Sequence, residues 1–589
     1  MNTTEALRRR TVTSGDVSLA VYEQGDPAHP TVLLVHGYPD THQVWDDVAA
    51  DLAADHHVVR YDVRGAGDSD RPARRDDYAL EALARDLFAV AEATSPGRPV
   101  HVVAHDWGSI QSWEAVTDSA APGRIASYTS LSGPCLDHVA HWMRDRYRNP
   151  TPRHVAQLLN QAAHSWYIAA FHVPALAPAV WRLGLAKRWG TVLHKAEGVR
   201  PRPGHPQPGL AADAVHGIEL YRANMLPRLR APRSRPTPLP VQLITLSKDH
   251  YVSPALAEGA APWAPNLWRR TIPATHWSAL LNKGATVARM VREFVGHHEG
   301  APAAPQLDRA RRRRDADETR PVSGPLAVVT GAGSGIGRAT ALAFAEQGAD
   351  VVVCDIDAEA AERTAELARL LGADAAAYRV DVSDGPAVDA FATEVAARHG
   401  VPDIVVNNAG VGHAGSFLET TEKEWQRVLD VNLWGVIHGC RAFGALLAAR
   451  DEGGHIVNIA SAAAYLPSRA LAAYGTSKAA VVSLSESLRA ELAGAGVGVT
   501  AICPGVVKTN IPRTTTFSGG DGAEQDERRR RAARAYARRN YPPEKVADRI
   551  LRAVRDNRAV VPVTPEARAG YLLGRVSPGL LRRAARFLG

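Results

Sequence analysis

A chain of 589 residues exceeds what one hydrophobic core can organise, and its length predicts about two to four domains. Apolar residues make up 45% and charged residues 22%, an ordinary globular balance, and four cysteines without paired spacing argue against a disulfide framework or a zinc site. The net charge of +7 is concentrated in Arg309 and Arg311–Arg314, in Arg528–Arg531 and in Arg582, Arg583 and Arg586. No nucleic-acid motif accompanies these clusters, so they are read as solvated linker or as contacts for anionic lipid, with no nucleic-acid partner. Met1–Arg10 is polar and basic without an apolar stretch behind it, and no uninterrupted apolar run approaches a membrane span. The expectation is a cytoplasmic protein without a metal.

In chain order, Thr31–Val35, His57–Tyr61, Val100–Ala104 and Ser127–Leu131 are short apolar runs separated by helical stretches, the pattern of buried parallel strands. From 135 to 236 the strand pattern stops and a Trp-, His- and Arg-rich helical stretch replaces it. Strand character returns at Val241–Leu246 and Trp268–Ile272. This predicts an α/β core over 1–134 and 237–298 with a helical cap over 135–236. Residues 299–322, rich in Pro, Ala, Arg and Asp, are expected to be a linker. Beyond it Leu326–Thr330, Asp350–Cys354, Ile404–Val406 and Ile456–Ala460 alternate with helices, predicting a Rossmann-type doubly wound parallel sheet over 323–565. The end, 566–589, mixes Leu, Phe and Arg as a basic amphipathic tail.

In the first unit Asp106 follows a predicted strand in His105-Asp106-Trp107-Gly108, the position of a nucleophile elbow, with Asp in place of Ser. A carboxylate there attacks a carbon bearing an oxygen or halide leaving group and forms an ester, which water then cleaves at the aspartyl carbonyl. The second step needs a base with an orienting acid. Asp249 and His276 each follow a later strand, in the order nucleophile, acid, histidine. Backbone N–H groups of Tyr38 and Trp107 are the candidate oxyanion donors. His36-Gly37-Tyr38-Pro39, Asp62–Ser69 and His-Asp-Trp-Gly resemble the epoxide hydrolases of the α/β-hydrolase fold over roughly residues 15–298. The resemblance implies that two cap tyrosines protonate the epoxide oxygen, and Tyr167 and Tyr221 match their sequence contexts. Such acid catalysis is worth roughly 10²–10⁴-fold. Haloalkane dehalogenases share the aspartate and the following tryptophan, so dehalogenation stays open, as does a non-catalytic lipid-binding module.

In the second unit Gly331, Gly335 and Gly337, with Ser334 and Ile336 between them, turn from a strand into a helix. Glycines there admit the pyrophosphate of a dinucleotide to the backbone, and the helix N-terminus supplies positive potential. Asp355, 18 residues after Gly337, can bind ribose hydroxyls and repels a 2′-phosphate, so the cofactor is read as NAD. Tyr474 and Lys478 are four residues apart on one helical face, where the ammonium is expected to lower the phenol's pKa; Ser461 stands 13 residues before Tyr474 and can hold the substrate oxygen. The arrangement resembles the short-chain dehydrogenase/reductase family over about residues 324–515. That resemblance implies a proton-relay role for Asn432 and cofactor contacts from Asp381, Val382, Asn408, Ala409, Gly410, Pro504, Gly505 and Thr509. It also implies a homo-oligomer through this domain.

Together these features predict a bifunctional enzyme. The first half would open an epoxide to a vicinal diol and the second would oxidise a secondary alcohol, with the diol as its candidate substrate. The chain as a whole resembles a fusion of the two families, which implies a lipid-like substrate. Trp142, Trp166, Phe171, Trp181 and Trp189 in the cap agree with that. For the tail around Leu572, Leu573, Leu580–Arg583, Phe587 and Leu588 two readings stand: peripheral contact with an anionic membrane surface, or packing on its own domain or a sister subunit.

Overall fold

The structure, a computed structural model, describes residues 7–311, 324–519 and 522–580, and the chain divides into two compact units, Met1–Arg314 and Asp315–Gly589. Arg312–Arg314 and the expected tail residues Leu581–Arg583, Phe587 and Leu588 lie outside the described residues.

The first unit is built on eight strands: β1 (Arg8–Ser14), β2 (Val17–Gln24), β3 (Thr31–Val35), β4 (His57–Tyr61), β5 (Val100–His105), β6 (Ile125–Leu131), β7 (Val241–Leu246) and β8 (Leu267–Ile272). Their order is β1-β2-β4-β3-β5-β6-β7-β8, antiparallel from β1 to β4 and parallel beyond. β3, β4 and β5 are buried along their whole length, because their near-continuous apolar runs have helices on both faces. The sequence reading missed β1 and β2, whose hairpin turns through Gly15 at φ +60°; β1 is polar and mostly exposed. Trp45, Trp107, Trp113, Leu33 and Leu34 are among its largest fully buried side chains.

Between β6 and β7 lie the cap helices Leu136–Arg148, Pro152–His164, Trp166–His172, Leu176–Val180, Ala186–Glu197 and Leu210–Arg230. Trp142, Trp181 and Trp189 are buried, but Trp166 faces outward, so the cap tryptophans do not form one lining. Within the expected linker, Pro305–Ala310 is a short helix whose Leu307 packs with Trp268 and Phe294 of the first unit. The apolar Leu307 outweighs the Pro- and Arg-rich composition around it.

The second unit carries β9 (Leu326–Thr330), β10 (Asp350–Asp355), β11 (Ala375–Arg379), β12 (Ile404–Asn407), β13 (His413–Ala414), β14 (Gly454–Ile459), β15 (Val497–Cys503), β16 (Thr516–Phe517) and β17 (Val560–Pro562). Seven form one parallel sheet, β11-β10-β9-β12-β14-β15-β17, and β13 pairs with β16. The order reverses between β9 and β12, which opens a crevice at their carboxyl ends. The helical stretch Glu422–Arg450 is long and apolar enough to cross a membrane by length and composition. The sequence reading missed this because polar residues interrupt the run; its Val436, Phe443 and Leu447 are buried in the core beside β12 and β14. At the end of the chain the helix Pro565–Val576 lies against this unit: Tyr465 donates to Ala567 O at 3.0 Å, and Tyr571 packs on Tyr465. The start of the expected tail is therefore part of the fold, while Leu572, Val576 and Leu580 are exposed.

Candidate active sites

In the first unit β5 ends in Asp106, held at φ 52° and ψ −125°, and the helix Trp107–Val116 begins directly after it. A non-glycine residue at positive φ stores strain, here in a turn that presents its carboxylate above the sheet. Two glycines make room for it. A Cβ on Gly37 would stand 2.5 Å from Asp106 Oδ2, and one on Gly108 would stand 2.3 Å from Val35 O. Tyr38 N–H donates to Asp106 Oδ2 at 2.8 Å, and the backbone N–H of Trp107 adds to the stabilisation of the carboxylate's charge. Both expected oxyanion donors thus favour the charged carboxylate.

His276 lies on the other side, with Nε2 3.7 Å from Asp106 Oδ1 and Nδ1 3.2 Å from Asp249 Oδ2. Asp249 also accepts N–H bonds from Tyr251 at 2.8 Å and Val252 at 3.1 Å and a hydroxyl bond from Ser132. Although burial opposes its charge, His276 and these donors hold Asp249 below the usual carboxylate range. Burial pushes Asp106 up to about 6, moderated by His276 and the two backbone donors. Burial works against the His276 cation too, yet Asp249 and Asp106 raise it to about 9. Beside it His105, buried and close to His276, is pushed down to about 3 and stays neutral.

The cap brings Tyr167 and Tyr221 to the same place. Tyr221 sits edge-on to Trp107 at 4.7 Å between ring centres, to Tyr38 at 5.4 Å and to Tyr167 at 6.0 Å. Burial and the nearby Asp106 charge push both phenols far up, so they remain proton donors. Sequence reasoning missed Glu197, at the end of its cap helix. Its buried carboxylate accepts Trp277 N–H at 3.2 Å, lies 3.1 Å from His250 Nδ1 and adds to the field that raises His276. A signal existed: Glu197 is the lone Asp or Glu between Asp145 and Asp213. Asp40, also missed, accepts the Trp277 indole N–H at 2.9 Å and lies 2.9 Å from His205 Nε2, fastening the loop after that cap helix to the core.

In the second unit a cavity of about 870 Å³ is lined by Ser461, Tyr474, Lys478 and Asn432 together with every expected cofactor-facing residue except Gly337. Gly337 stands behind the turn, where a Cβ would be 2.2 Å from Gly331 O. Gly331, at φ +61°, would press a Cβ to 2.7 Å from the Ala409 backbone. Asn408 ties the two turns together, its side-chain amide donating to Thr330 O at 2.9 Å and Gly331 O at 3.0 Å. Asp355 accepts Gly333 N–H at 2.8 Å and Asp357 N–H at 3.1 Å, which plants its carboxylate at the end of β10 beside the glycine turn. Asp381 accepts the N–H and hydroxyl of Ser383. This glycine-rich turn with a carboxylate at its rim fits a dinucleotide.

Ser461 lies close enough to Tyr474 to favour its phenolate. Lys478 donates to Ile459 O at 2.9 Å and stands 5.9 Å from the Tyr474 ring centre. Asn432 accepts Val411 N–H at 2.8 Å and donates to Val411 O at 3.0 Å, pinning a widened helical turn at the cavity. The expected lowering of Tyr474 is not found. Burial outweighs the opposing influence of Ser461 and pushes the phenol up to about 12, while burial also brings Lys478 down to about 8. A desolvated ammonium turned toward a carbonyl does little for the phenolate. Tyr536 and Glu566 line the cavity from the helices Gly522–Arg539 and Pro565–Val576, and no sequence pattern marked them. Among the described residues no group of three or more His, Cys, Asp or Glu could hold a metal ion.

Comparison with known proteins matches residues 30–283 to the alpha/beta hydrolase fold family and residues 325–516 to the short chain dehydrogenase family. The chain is 45% identical over 595 residues to "Probable oxidoreductase EphD" of Mycobacterium tuberculosis, covering 100% of this chain and 99% of the relative. It is 42% identical over 193 residues to "D-threitol dehydrogenase" of Mycolicibacterium smegmatis, covering 32% of this chain and 73% of that protein. Among solved structures, a short-chain dehydrogenase/reductase from Burkholderia phymatum in complex with NAD is 34% identical, covers 44% of this chain and 95% of its own, and has a TM-score of 0.41.

Proposed function

The chain belongs to the family that joins an alpha/beta-hydrolase-fold domain to a short chain dehydrogenase domain, and from that premise we propose a bifunctional enzyme that hydrolyses a lipid-like epoxide and oxidises or reduces a secondary alcohol or ketone with NAD. The observation that carries the hydrolase reading is the convergence on one carboxylate of two backbone donors, a charged His–Asp pair and two protonated cap tyrosines. In this reading Asp106 Oδ1 attacks an epoxide carbon, the C–O ring bond breaks, and the ring oxygen takes its proton from Tyr167 or Tyr221. Oδ2, which accepts Tyr38 N–H, becomes the ester carbonyl and then the oxyanion, with the backbone N–H of Trp107 as the second donor. His276, no longer facing a charged Asp106, returns a proton to the phenolate; water then adds to the ester carbonyl as His276 takes its proton, and the acyl C–O bond breaks with the carboxyl proton passing to the leaving oxygen, so the diol departs and Asp106 is again a carboxylate. Two buried, protonated cap tyrosines in the field of Asp106 favour this over dehalogenation, in which a departing halide needs no proton donor.

In the dehydrogenase half Asp355 and the Gly331–Gly337 turn would hold the NAD, which supplies the hydride acceptor. Ser461 orients the substrate oxygen, Tyr474 exchanges its proton, and Lys478 and Asn432 fix the surrounding backbone. The diol of the first half is an alcohol the second can take. Mass spectrometry after incubating a long-chain epoxy ester with the protein tests this: diol without NAD⁺, then hydroxyketone on adding it, is the expected course. Tyr474→Phe should stop at the diol. Undiminished diol consumption by that variant, or no diol from the parent protein, overturns the reading.

A further inference from the structure

The cap carries a surface that neither active site explains. On the helix Pro152–His164 and the start of the next, Val155, Leu159 and Trp166 recur at helical spacing and are exposed, Leu159 at 67% and Trp166 at 72%. On the stretch beginning at Leu176, Leu176, Val180 and Leu183 form a second exposed stripe, with Leu183 at 86%. Both stripes are backed by the active site. Tyr167, next to Trp166, packs against Tyr221; Trp181, on the inner face of the second stripe, packs against Tyr38. The roof of the Asp106 site is thus apolar on its outer side as well.

Its charge is one-sided. From Arg146 to Ala196 the sequence holds seven Lys or Arg and not one Asp or Glu. Arg182, Lys187, Arg188 and Lys195 are exposed and make no ion pair among the described residues. Glu258 pairs Arg146 and Arg153 beside the first stripe, but the second is bordered by the unpaired cations; exposed apolar stripes with such a cationic border match the interfacial zone of an anionic bilayer, where apolar side chains enter the acyl boundary and cations meet the headgroups. We infer that this cap face docks on an anionic lipid surface and delivers a bilayer-resident substrate directly beneath it to Asp106. Docking extends the lipid-like substrate proposed above but is read without any substrate, so its failure and that of the epoxide chemistry are separable.

The test is flotation of the full chain with vesicles of phosphatidylcholine alone and of phosphatidylcholine with phosphatidylglycerol, at low and high salt. Binding is expected to the anionic vesicles and to weaken with salt. Lys187→Glu/Arg188→Glu should weaken it by at least about 25-fold, roughly fivefold for each cation removed. Leu176→Glu/Leu183→Glu should weaken it tenfold or more, with the thermal midpoint checking that the variant is folded. If the leucine variant fails to fold, the charge variant alone decides. No flotation with anionic vesicles, flotation unchanged in the charge variant, or a self-associated species that the charge or leucine variant dissociates in place of vesicle binding would overturn the inference, the last because a second copy would then be the occupant.

Discussion

His276→Gln should separate the two chemical steps of the hydrolase half and reverse the protonation of its nucleophile. His276 Nε2 and Asp106 Oδ1 are 3.7 Å apart. At an effective dielectric of about 20 that pair is worth about 4.5 kcal/mol, a change of about 3 in pKa for either partner when the other loses its charge. Esterification neutralises Asp106, so His276 falls from about 9 toward about 6 and becomes a base at the moment one is needed. In the variant the same energy works on Asp106, which rises from about 6 toward about 9. Ester formation at pH 7.5 should then be roughly thirtyfold slower than in the parent and recover as the pH approaches 9. Ester hydrolysis, without its base, should slow by roughly 10²–10⁴. Intact-protein mass spectrometry after exposure to a terminal epoxide reads both: the variant should gain the mass of one epoxide and keep it. Absence of an adduct at pH 9, or adduct formation independent of pH between 6 and 9, would refute the charge-pair argument.

Tyr167→Phe and Tyr221→Phe should each slow ester formation by on the order of 10²-fold, because each removes a phenol that burial keeps protonated; single-turnover mass measurements check it, and a loss below threefold in both would remove them from the chemistry. Glu197→Gln keeps a side chain that can accept Trp277 N–H but takes away one negative neighbour of His276. The histidine cation is then less favoured, so the pH limb of ester hydrolysis should move to lower pH with KM unchanged, and an unmoved limb would leave Glu197 a purely structural contact. Tyr474, at about 12, is protonated at neutral pH. Carbonyl reduction should therefore be nearly flat from pH 6 to 8 while alcohol oxidation rises roughly tenfold per pH unit, followed by NADH absorbance; oxidation that is flat over that range would contradict the protonation assigned here.

The strands that carry Asp106, Asp249, His276 and Asp355 were legible because buried parallel strands are written as short apolar runs, and chemistry at their carboxyl ends follows from fold order. The glycine turn was legible for a local reason too: where a Cβ would strike backbone, only glycine can stand, and the spacing records it. The hairpin of β1 and β2 was not, since β1 is mostly exposed and needs no apolar run. Nor were Glu197, Tyr536 and Glu566, which reach their cavities from helices brought there by packing that no local pattern encodes. The same division holds for charge. The sequence by itself determined which ionisable groups the sites contain, but their protonation depends on desolvation and on distances between residues far apart in the chain. Tyr474 is the clear instance: its spacing from Lys478 suggested a lowered pKa, and only the tertiary structure, which buries the phenol and turns the ammonium to Ile459, decided that it rises.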